Sequence, residues 1–525
     1  MNSSYLNGIN RRNLLLGGAS AALLGRYRHA FGDVTAADTN SASGETIVIQ
    51  PSWVLVPDND KLKVLYDHDV VVSGDHIEEV RPRRSGRNRR IDATGQILLP
   101  GFISGHSHAA AGVATRGLIE ENPSPVMNTS GRSGRRFLRV MVLMESLSED
   151  ELDDLTALNL AEMVRSGCTT QVEMSVSLKQ MQSNVRVASK YGIRGYPGGM
   201  VPGMTRLLAI WQRTSSKVLI DSVKDTLSEI AANLEYAKSI NGSANGRIRP
   251  MMAPSVVSVH TPETFAAVKA AAQELGNGIH LHMQAGFNDE DNKRIHDFWG
   301  KGEASVVIDQ GLISDVRLFG AHLLFLDNLT EDLSNLAKGN FTFAHCPSAA
   351  GAGVLASSQP YPEALAAGVN TCVGFDTHSN DYVENMKLAV MQGRARAQLL
   401  KNTSKAQLIE PTIWHGLESA TRGGAKGLGR DDLGRIQEGA KADLCTIDVT
   451  GLLVGNGTMP REPWNNLMYA NGLSVSNVMI DGVWKVFGGN LLFGDEADIA
   501  MRGGAIVRKL WAQLEKEDFF VPMRR

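Results

Sequence analysis

The sequence is poor in cysteine, in long apolar runs and in net charge, and each shortage argues against a class of protein. Its four cysteines form no CxxC pair and lie in different segments, which argues against a disulfide framework. No segment after the N-terminal region is apolar enough to be a transmembrane helix. The formal net charge is −3, so no global field attracts nucleic acid or an anionic membrane. We therefore expect neither nucleic acid nor a membrane as a partner.

A glycine-rich phosphate fingerprint at the start of a helix is also missing, which argues against a nucleotide-binding sheet. What is present is an ordinary globular composition. The chain has 525 residues, of which 43% are hydrophobic and 21% are charged. This length is enough for one large domain and a smaller one.

The N-terminal segment carries a charged and apolar pattern. "NRRNLLLGGASAALLG" places Arg11 and Arg12 before an apolar run that is too short to span a bilayer. This order is typical of an export signal, and the paired arginines resemble a twin-arginine signal. We therefore predict an export signal and linker over residues 1–36, with a periplasmic or secreted location in a bacterium. A disordered tail with a chance arginine pair is the alternative.

Short β-rich runs occupy both ends of the rest of the chain. "TIVIQPSWVLV" and "VLYDHDVVVSGDHIEEV" lie near its start, and "KADLCTIDVTGLLV" and "VSNVMIDGVWKVFGG" lie near its end. Their alternation and the Gly-Asp turns between them predict strands. We predict one small composite β-sandwich domain from residues 44–100 and 434–495, followed by a C-terminal helix or tail over residues 496–525.

The middle of the chain alternates apolar strand-like runs with helical stretches. "CTTQVEM" follows "DDLTALNLAEMVRSG", and "GIHLHM" follows "TPETFAAVKAAAQELGN". Such alternation over more than 300 residues predicts a parallel sheet with crossover helices. The length favours an α/β fold of the (β/α)8 TIM-barrel type over residues 101–433.

Histidines follow several of these predicted strands. In "GFISGHSHAAAGVATRG", His106 and His108 are two residues apart, so on a strand they share one face and can chelate one cation. Because chemistry lies at the C-terminal ends of barrel strands, we expect the polar side chains there to converge. Imidazoles with a carboxylate suit zinc or iron(II), and an open coordination position would activate water. The polar residues at or near predicted strand ends are His106, His108, Glu173, His280, His282, His322, His345 and Asp376.

Longer segments resemble the metal-dependent amidohydrolase superfamily, in its cytosine deaminase and chlorohydrolase branch. "ILLPGFISGHSH" resembles the first barrel strand of that family, and "AEMVRSGCTTQVEM" resembles its next helix and strand. "RLFGAHLLFLDNLTEDLSNLAKGNFTFAHCPSAAG" resembles the paired histidine strands, and "LAAGVNTCVGFDTHSN" resembles the strand that ends in the family aspartate. "ESATRGGAKGLGRDDLGRIQEGAKADLCTIDV" resembles the exit from the barrel. The resemblance covers nearly everything after the linker.

The resemblance implies a role for each matching residue. His106, His108, His282 and Asp376 are the implied ligands of one divalent metal ion, zinc or alternatively iron, because "RIRPMMAPS" lacks a bridging lysine. Asp376 is also the implied base, and His322 is implied to polarise the substrate or assist the water. Around them we expect a set of residues that bind substrate, namely His280, Gln284, His345, His378 and Glu173. For His345 the resemblance implies a mostly structural role.

One position departs from the family pattern. The family glutamate that shuttles a proton would fall at Ala285, counted from His282, or at Met283, counted from His280. Gln284 is adjacent but cannot donate a proton as an acid does. His378 and Glu173 are further titratable groups that we expect near the metal. Ser255 also stands where relatives have a substrate-holding histidine.

These observations together predict an enzyme. We expect a metal-dependent amidohydrolase that attacks a cyclic or aromatic amide-like or heteroaryl small molecule with activated water, hydrolysing a carbon–nitrogen bond other than a peptide bond. Deamination of an aminoheterocycle and dehalogenation are the alternatives. A barrel that binds metal and ligand without turnover is a further alternative, motivated by Ala285. We expect a homo-oligomer, a dimer or larger.

Overall fold

A computed structural model of the chain describes residues 46–59, 61–86, 88–118, 132–213, 220–284, 289–349, 358–455 and 459–517. The predicted export signal therefore lies outside the described residues. All four cysteines are buried and free. None of the described helices combines the length and the apolar composition that a membrane crossing requires.

Strands from both ends of the described chain form one nine-stranded sheet. Its first five strands are β1 (Thr46–Asp58), β2 (Lys61–Tyr66), β3 (His68–Ser73), β4 (His76–Pro82) and β5 (Arg89–Pro100). The order is β17-β16-β15-β14-β5-β1-β3-β4, with β2 paired to β1. The late strands are β14 (Leu444–Asp448), β15 (Val475–Ile480), β16 (Val483–Phe487) and β17 (Asn490–Leu491).

Parallel strands and crossover helices fill the middle of the chain, as the alternation predicts. One four-stranded sheet has the order β6-β7-β8-β9 and the other β10-β11-β12-β13. Isolated parallel bridges join them, Met252 to Ile279 at one edge and Ser107 to Asp376 at the other. The strands are β6 (Phe102–Ser107), β7 (Cys168–Ser175), β8 (Arg194–Val201), β9 (Ala253–Pro254), β10 (Ile279–His282), β11 (Leu318–Ala321), β12 (Phe341–His345) and β13 (Asn370–Val373).

The helices connect and cover these strands, which is why every residue of β6 and β7 is buried. Local capping fixes their ends. Ser148 and Glu151 form a capping box at the start of α3, and Gly192 ends α4 in the left-handed conformation that glycine adopts most readily. The helices are α1 (Ala111–Thr115), α2 (Arg132–Leu143), α3 (Glu149–Arg165), α4 (Leu178–Tyr191), α5 (Met204–Arg213), α6 (Val223–Ile240), α7 (Pro262–Leu275), α8 (Asp289–Trp299), α9 (Glu303–Asp309), α10 (Leu329–Leu336), α11 (Tyr361–Ala366), α12 (Tyr382–Leu400), α13 (Ile413–Ala420), α14 (Arg422–Leu428), α15 (Pro463–Asn466) and α16 (Glu496–Lys516).

A buried ion pair joins the parallel strands to the nine-stranded sheet. Arg194, at the start of β8, donates to the two carboxylate oxygens of Asp443 at 2.9 and 3.0 Å. Its guanidinium also donates to Asp481, in the turn between β15 and β16. Because Arg194 is 1% exposed, its charge depends on these partners for compensation.

Candidate metal centre

Three histidines from two distant segments converge at the C-terminal ends of β6 and β10. His106, His108 and His282 each offer a ring nitrogen to a group of atoms that all lie within 4.8 Å of one another. The His106 ring centroid lies 4.7 Å from that of His108 and 4.9 Å from that of His282. All three side chains are buried. The predicted HxH pair and His282 are therefore together in space.

Backbone carbonyls fix the ring orientation of two of these histidines. The Nδ1 atom of His108 lies 2.6 Å from the carbonyl oxygen of Met174, and Nδ1 of His282 lies 2.9 Å from that of Ser255. A carbonyl oxygen only accepts, so each Nδ1 carries the hydrogen and each Nε2 is the acceptor nitrogen of its ring. The two Nε2 atoms are 3.2 Å apart. Two lone pairs that face each other at this distance require a cation or a proton between them.

His106 is oriented by another histidine. Its Nδ1 lies 2.7 Å from Nε2 of His280, which is fully buried behind it. The Nε2 atom of His106 has no hydrogen-bond partner among the described residues. His280 therefore acts here as an outer partner of a candidate ligand, an arrangement that usually orients metal-binding histidines. The predicted substrate contact of His280 stays a prediction, and the contact that the structure describes is the one with His106.

Asp376 completes the group. Its Oδ1 atom lies 3.6 Å from Nε2 of His106 and 3.5 Å from Nε2 of His108. Asp376 has a φ of 59°, in the left-handed region that residues with a Cβ rarely adopt. Burial raises the pKa of its carboxyl to about 7. We call His106, His108, His282 and Asp376 the primary set.

The primary set fits a divalent metal ion of borderline softness. Burial lowers the pKa of His108 to about 4 and the pKa values of His106 and His282 well below their usual range, so the three rings are neutral near pH 7. Neutral imidazole is the form that ligates metal, and imidazoles with a carboxylate suit zinc or iron(II). The unpartnered Nε2 of His106 and the facing Nε2 atoms of His108 and His282 agree with this donor set.

His322 lies beside the primary set on the segment that follows β11. Its ring is parallel to that of His282, at 5° and a centroid distance of 5.7 Å, and its centroid is 5.1 Å from that of His106. The buried Nδ1 of His322 has no hydrogen-bond partner among the described residues. Its φ is 73°, so both His322 and Asp376 have a backbone conformation that concentrates at functional sites.

Gln284 and Glu173 are both buried, but their contacts differ. Neither the amide nitrogen nor the amide oxygen of Gln284 has a hydrogen-bond partner among the described residues. The Glu173 carboxylate accepts from the Ser175 hydroxyl at 2.7 Å and from the backbone nitrogen of Ala109 at 3.2 Å. Burial raises the pKa of Glu173 to about 8. Glu173 therefore holds the backbone next to His108, whereas Gln284 has unused hydrogen-bonding capacity.

The structure does not bring His345 and His378 into the primary set. The His345 ring stacks on Tyr361 of α11 at 4.7 Å, and its Nδ1 lies 3.0 Å from Gln359. Successive residues of a strand face opposite sides, so His345 faces α11 while its neighbour Cys346 faces the histidines. These contacts are those of a packed residue, as the mostly structural role implied for His345 predicts, and its substrate contact stays a prediction.

The remaining two positions are His378, which the structure describes, and Ala285, which it does not. His378 is half-buried in the loop after β13, where its backbone carbonyl accepts from Arg116 at 3.0 Å. Among the described residues, no candidate metal group includes His378. Ala285, the position of the missing glutamate, lies outside the described residues.

One residue near the centre is absent from our predicted ligands. Cys346 forms a second candidate metal group with His106 and His322. The sequence carries a signal for it, because Cys346 directly follows His345 at the end of a predicted strand.

Comparison with known proteins gives consistent matches. The sequence model of the amidohydrolase family matches residues 97–485. A 5-methylthioadenosine/S-adenosylhomocysteine deaminase of Pelotomaculum thermopropionicum is 27% identical over 411 residues, which cover 77% of this chain and 84% of that protein. An atrazine chlorohydrolase from Arthrobacter aurescens, solved with zinc, has a TM-score of 0.69 at 21% identity, covering 88% of this chain and 100% of that one. An adenosine deaminase from Xanthomonas campestris with bound zinc has a TM-score of 0.68 at 22% identity, covering 89% and 98%.

Proposed function

Because the chain belongs to the amidohydrolase family, we propose that the primary set holds one divalent metal ion, zinc or alternatively iron. The chain is a metal-dependent hydrolase that acts on carbon–nitrogen bonds other than peptide bonds. Its proposed substrate is a cyclic or aromatic small molecule, and the electrophile is an amide-like or heteroaryl carbon.

One observation carries this proposal. The Nε2 atoms of His108 and His282 face each other at 3.2 Å, and the carboxylate of Asp376 reaches to 3.5 Å from the same atom of His108. An ion held by the primary set would lower the pKa of water toward neutrality and would so supply a nucleophile near pH 7. The side chains themselves then have to bind the substrate and move its protons.

Asp376 and His322 are the residues proposed to move protons. The Asp376 carboxylate accepts the proton that the attacking water loses. His322 passes this proton on to the leaving nitrogen: its neutral imidazole first takes the proton up at the acceptor nitrogen and then, as the imidazolium, donates it. Its unpartnered Nδ1 gives it the free capacity that this role requires. Gln284, whose buried amide is also unpartnered, is proposed to hydrogen-bond the substrate.

Turnover of a panel of compounds tests the proposal. Purified, zinc-loaded protein is incubated with cyclic amides, cyclic ureas and aminoheterocycles, and products are identified by mass spectrometry. We expect at least one cyclic amide or urea to gain one water with a broken ring carbon–nitrogen bond. Tight binding of a compound without turnover of any would favour the alternative of a binding module.

Deamination of an aminoheterocycle is the second candidate function. It is supported by the similarity to proteins named deaminases and opposed by Ala285 at the position of the family glutamate. Ala285→Glu tests it. If this variant releases more ammonia from an aminoheterocycle than the unaltered chain does, Ala285 is a specialisation within the mechanism of the family. Ammonia release by the unaltered chain would make deamination its native activity.

The finer architecture is also part of the proposal. The bridges from Met252 to Ile279 and from Ser107 to Asp376 support closure of the two parallel sheets into one (β/α)8 barrel over residues 101–433. The shared apolar cluster of Ile47, Val72 and Met479 supports a composite sandwich of residues 44–100 and 434–495. Residues 496–525 then follow as the C-terminal helix and tail.

Export and assembly complete the proposal. Arg11 and Arg12 support export through a twin-arginine signal. Leu452 and Leu453 between β14 and β15 are 91% and 86% exposed, which supports burial of this face in a homo-oligomer. Light scattering on the purified protein measures the oligomeric state, and a monomer at micromolar concentration would contradict the assembly.

A further inference from the structure

Cys346 lies beside two of the histidines on the inner side of the strands. Its Sγ atom, a ring nitrogen of His106 and a ring nitrogen of His322 all lie within 4.8 Å of one another. All three residues are buried, with exposures of 0%, 0% and 1%. The proposed hydrolytic mechanism gives Cys346 no role, so this group needs its own explanation.

Each of the two histidines has one buried ring nitrogen that could bind a cation. Nε2 of His106 and Nδ1 of His322 are buried atoms without a hydrogen-bond partner among the described residues. Within the part of the chain that the structure describes, the Cys346 thiol makes one long hydrogen bond, 3.6 Å to the carbonyl oxygen of Ala344 in β12. Buried polar atoms normally have partners, and atoms without them in a native structure point to an ion or a ligand.

We infer that Cys346, His322 and His106 form a second metal position, which takes a thiophilic divalent cation and blocks the primary set. The inference rests on the proposed function, because the primary set also needs His106. The Nδ1 atom of His106 is held by His280 at 2.7 Å, so only Nε2 is available to a cation. One nitrogen binds one cation, and the two positions are therefore filled one at a time.

The ligand chemistry separates the two positions. The primary set has nitrogen and oxygen donors, whereas the second position has a sulfur donor that softer cations prefer. On binding, the S–H bond of Cys346 breaks, a sulfur–metal bond forms and the proton leaves to solvent. No electron is transferred, so the step needs no oxidant. A soft cation such as cadmium should therefore bind at the second position, displace the ion of the primary set and so inhibit the enzyme.

Cadmium titration of the full chain, freed of metal by a chelator, tests the inference. The cadmium–thiolate charge-transfer absorption in the ultraviolet should rise and saturate at one cadmium per chain. It should be absent in Cys346→Ala and retained in Cys372→Ala. The control is matched, because Cys372 is also a fully buried cysteine on a neighbouring strand but belongs to no candidate metal group among the described residues. Circular dichroism confirms that both variants fold.

Two further measurements separate this inference from the proposed function. His108→Ala removes a ligand of the primary set alone, so it should abolish turnover yet keep the cadmium absorption. In zinc-loaded Cys346→Ala, the cadmium concentration for half-inhibition should rise at least about tenfold. Tenfold is about the smallest loss of metal affinity seen when an outer partner of a metal ligand is removed, and Cys346 would be a ligand itself. Cadmium absorption that persists in Cys346→Ala, or stoichiometric cadmium binding without that absorption in the unaltered chain, would overturn the second position and leave the primary set intact.

Discussion

The Nε2 atoms of His108 and His282 lie 3.2 Å apart although 174 positions separate the two residues in the chain. Each ring is turned by a carbonyl at its Nδ1 atom, so both lone pairs point into the same space. Two parallel strand segments, β6 and β10, bring them there from different sheets. The proposed metal chemistry of the chain depends on this convergence, and the predictions below test its consequences.

His280 should matter for metal affinity without touching the metal. His280→Ala removes the partner of His106 Nδ1, and we expect metal affinity to fall roughly 10–100-fold, as for other outer partners of metal ligands. Affinity is measured by competition with a chromophoric chelator. His260→Ala is the matched control, because His260 is also fully buried but belongs to no candidate metal group among the described residues. Equal losses in both variants would contradict the assignment.

His322→Ala should slow turnover and leave the metal in place. We expect a loss of about a hundredfold or more, the lower bound for general acid–base catalysis. The loss should be largest for substrates with basic leaving groups and smaller for activated anilides, because only the former need a donated proton. The measurement is kcat across a leaving-group series with metal content determined in parallel. A uniform loss would mean that His322 polarises the electrophile instead.

The buried ion pair of Arg194 and Asp443 should contribute more to the free energy of unfolding than an exposed ion pair does. Asp443→Asn removes the charge that compensates Arg194, and breaking such a pair typically costs about 3–5 kcal/mol. Asp58→Asn at the exposed pair with Lys63 should cost about 0–1 kcal/mol. Thermal unfolding of both variants compares them. Similar midpoints would show that the Arg194 charge is compensated elsewhere.

The proposed export of the protein depends on its first residues. A fusion of residues 1–45 to a reporter that is active only when exported in folded form should reach the periplasm. Arg11→Lys combined with Arg12→Lys should block export of the fusion, because the twin-arginine pathway requires the pair. Reporter activity is measured in periplasmic and cytoplasmic fractions. A reporter that stays in the cytoplasm with the native pair would remove the proposed location without affecting the catalytic proposal.

The sequence predicts the class of fold and the elements that carry the site, because strand–helix alternation and histidines at strand ends are local patterns. Local patterns do not predict which residues adopt a left-handed backbone conformation. His322 and Asp376, which follow β11 and β13, have left-handed φ angles although neither is a glycine. The face of a strand that meets a helix is also a tertiary property. His345 therefore meets Tyr361, and its neighbour Cys346 meets the histidines.

The metal content of the purified protein tests the central claim most directly. Inductively coupled plasma mass spectrometry of the native chain should find about one zinc or iron ion per chain. His106→Ala, His108→Ala, His282→Ala and Asp376→Ala should each retain only a small fraction of it, whereas His260→Ala should retain all of it. Full metal content in the variants of the primary set, or two ions per native chain, would contradict the account.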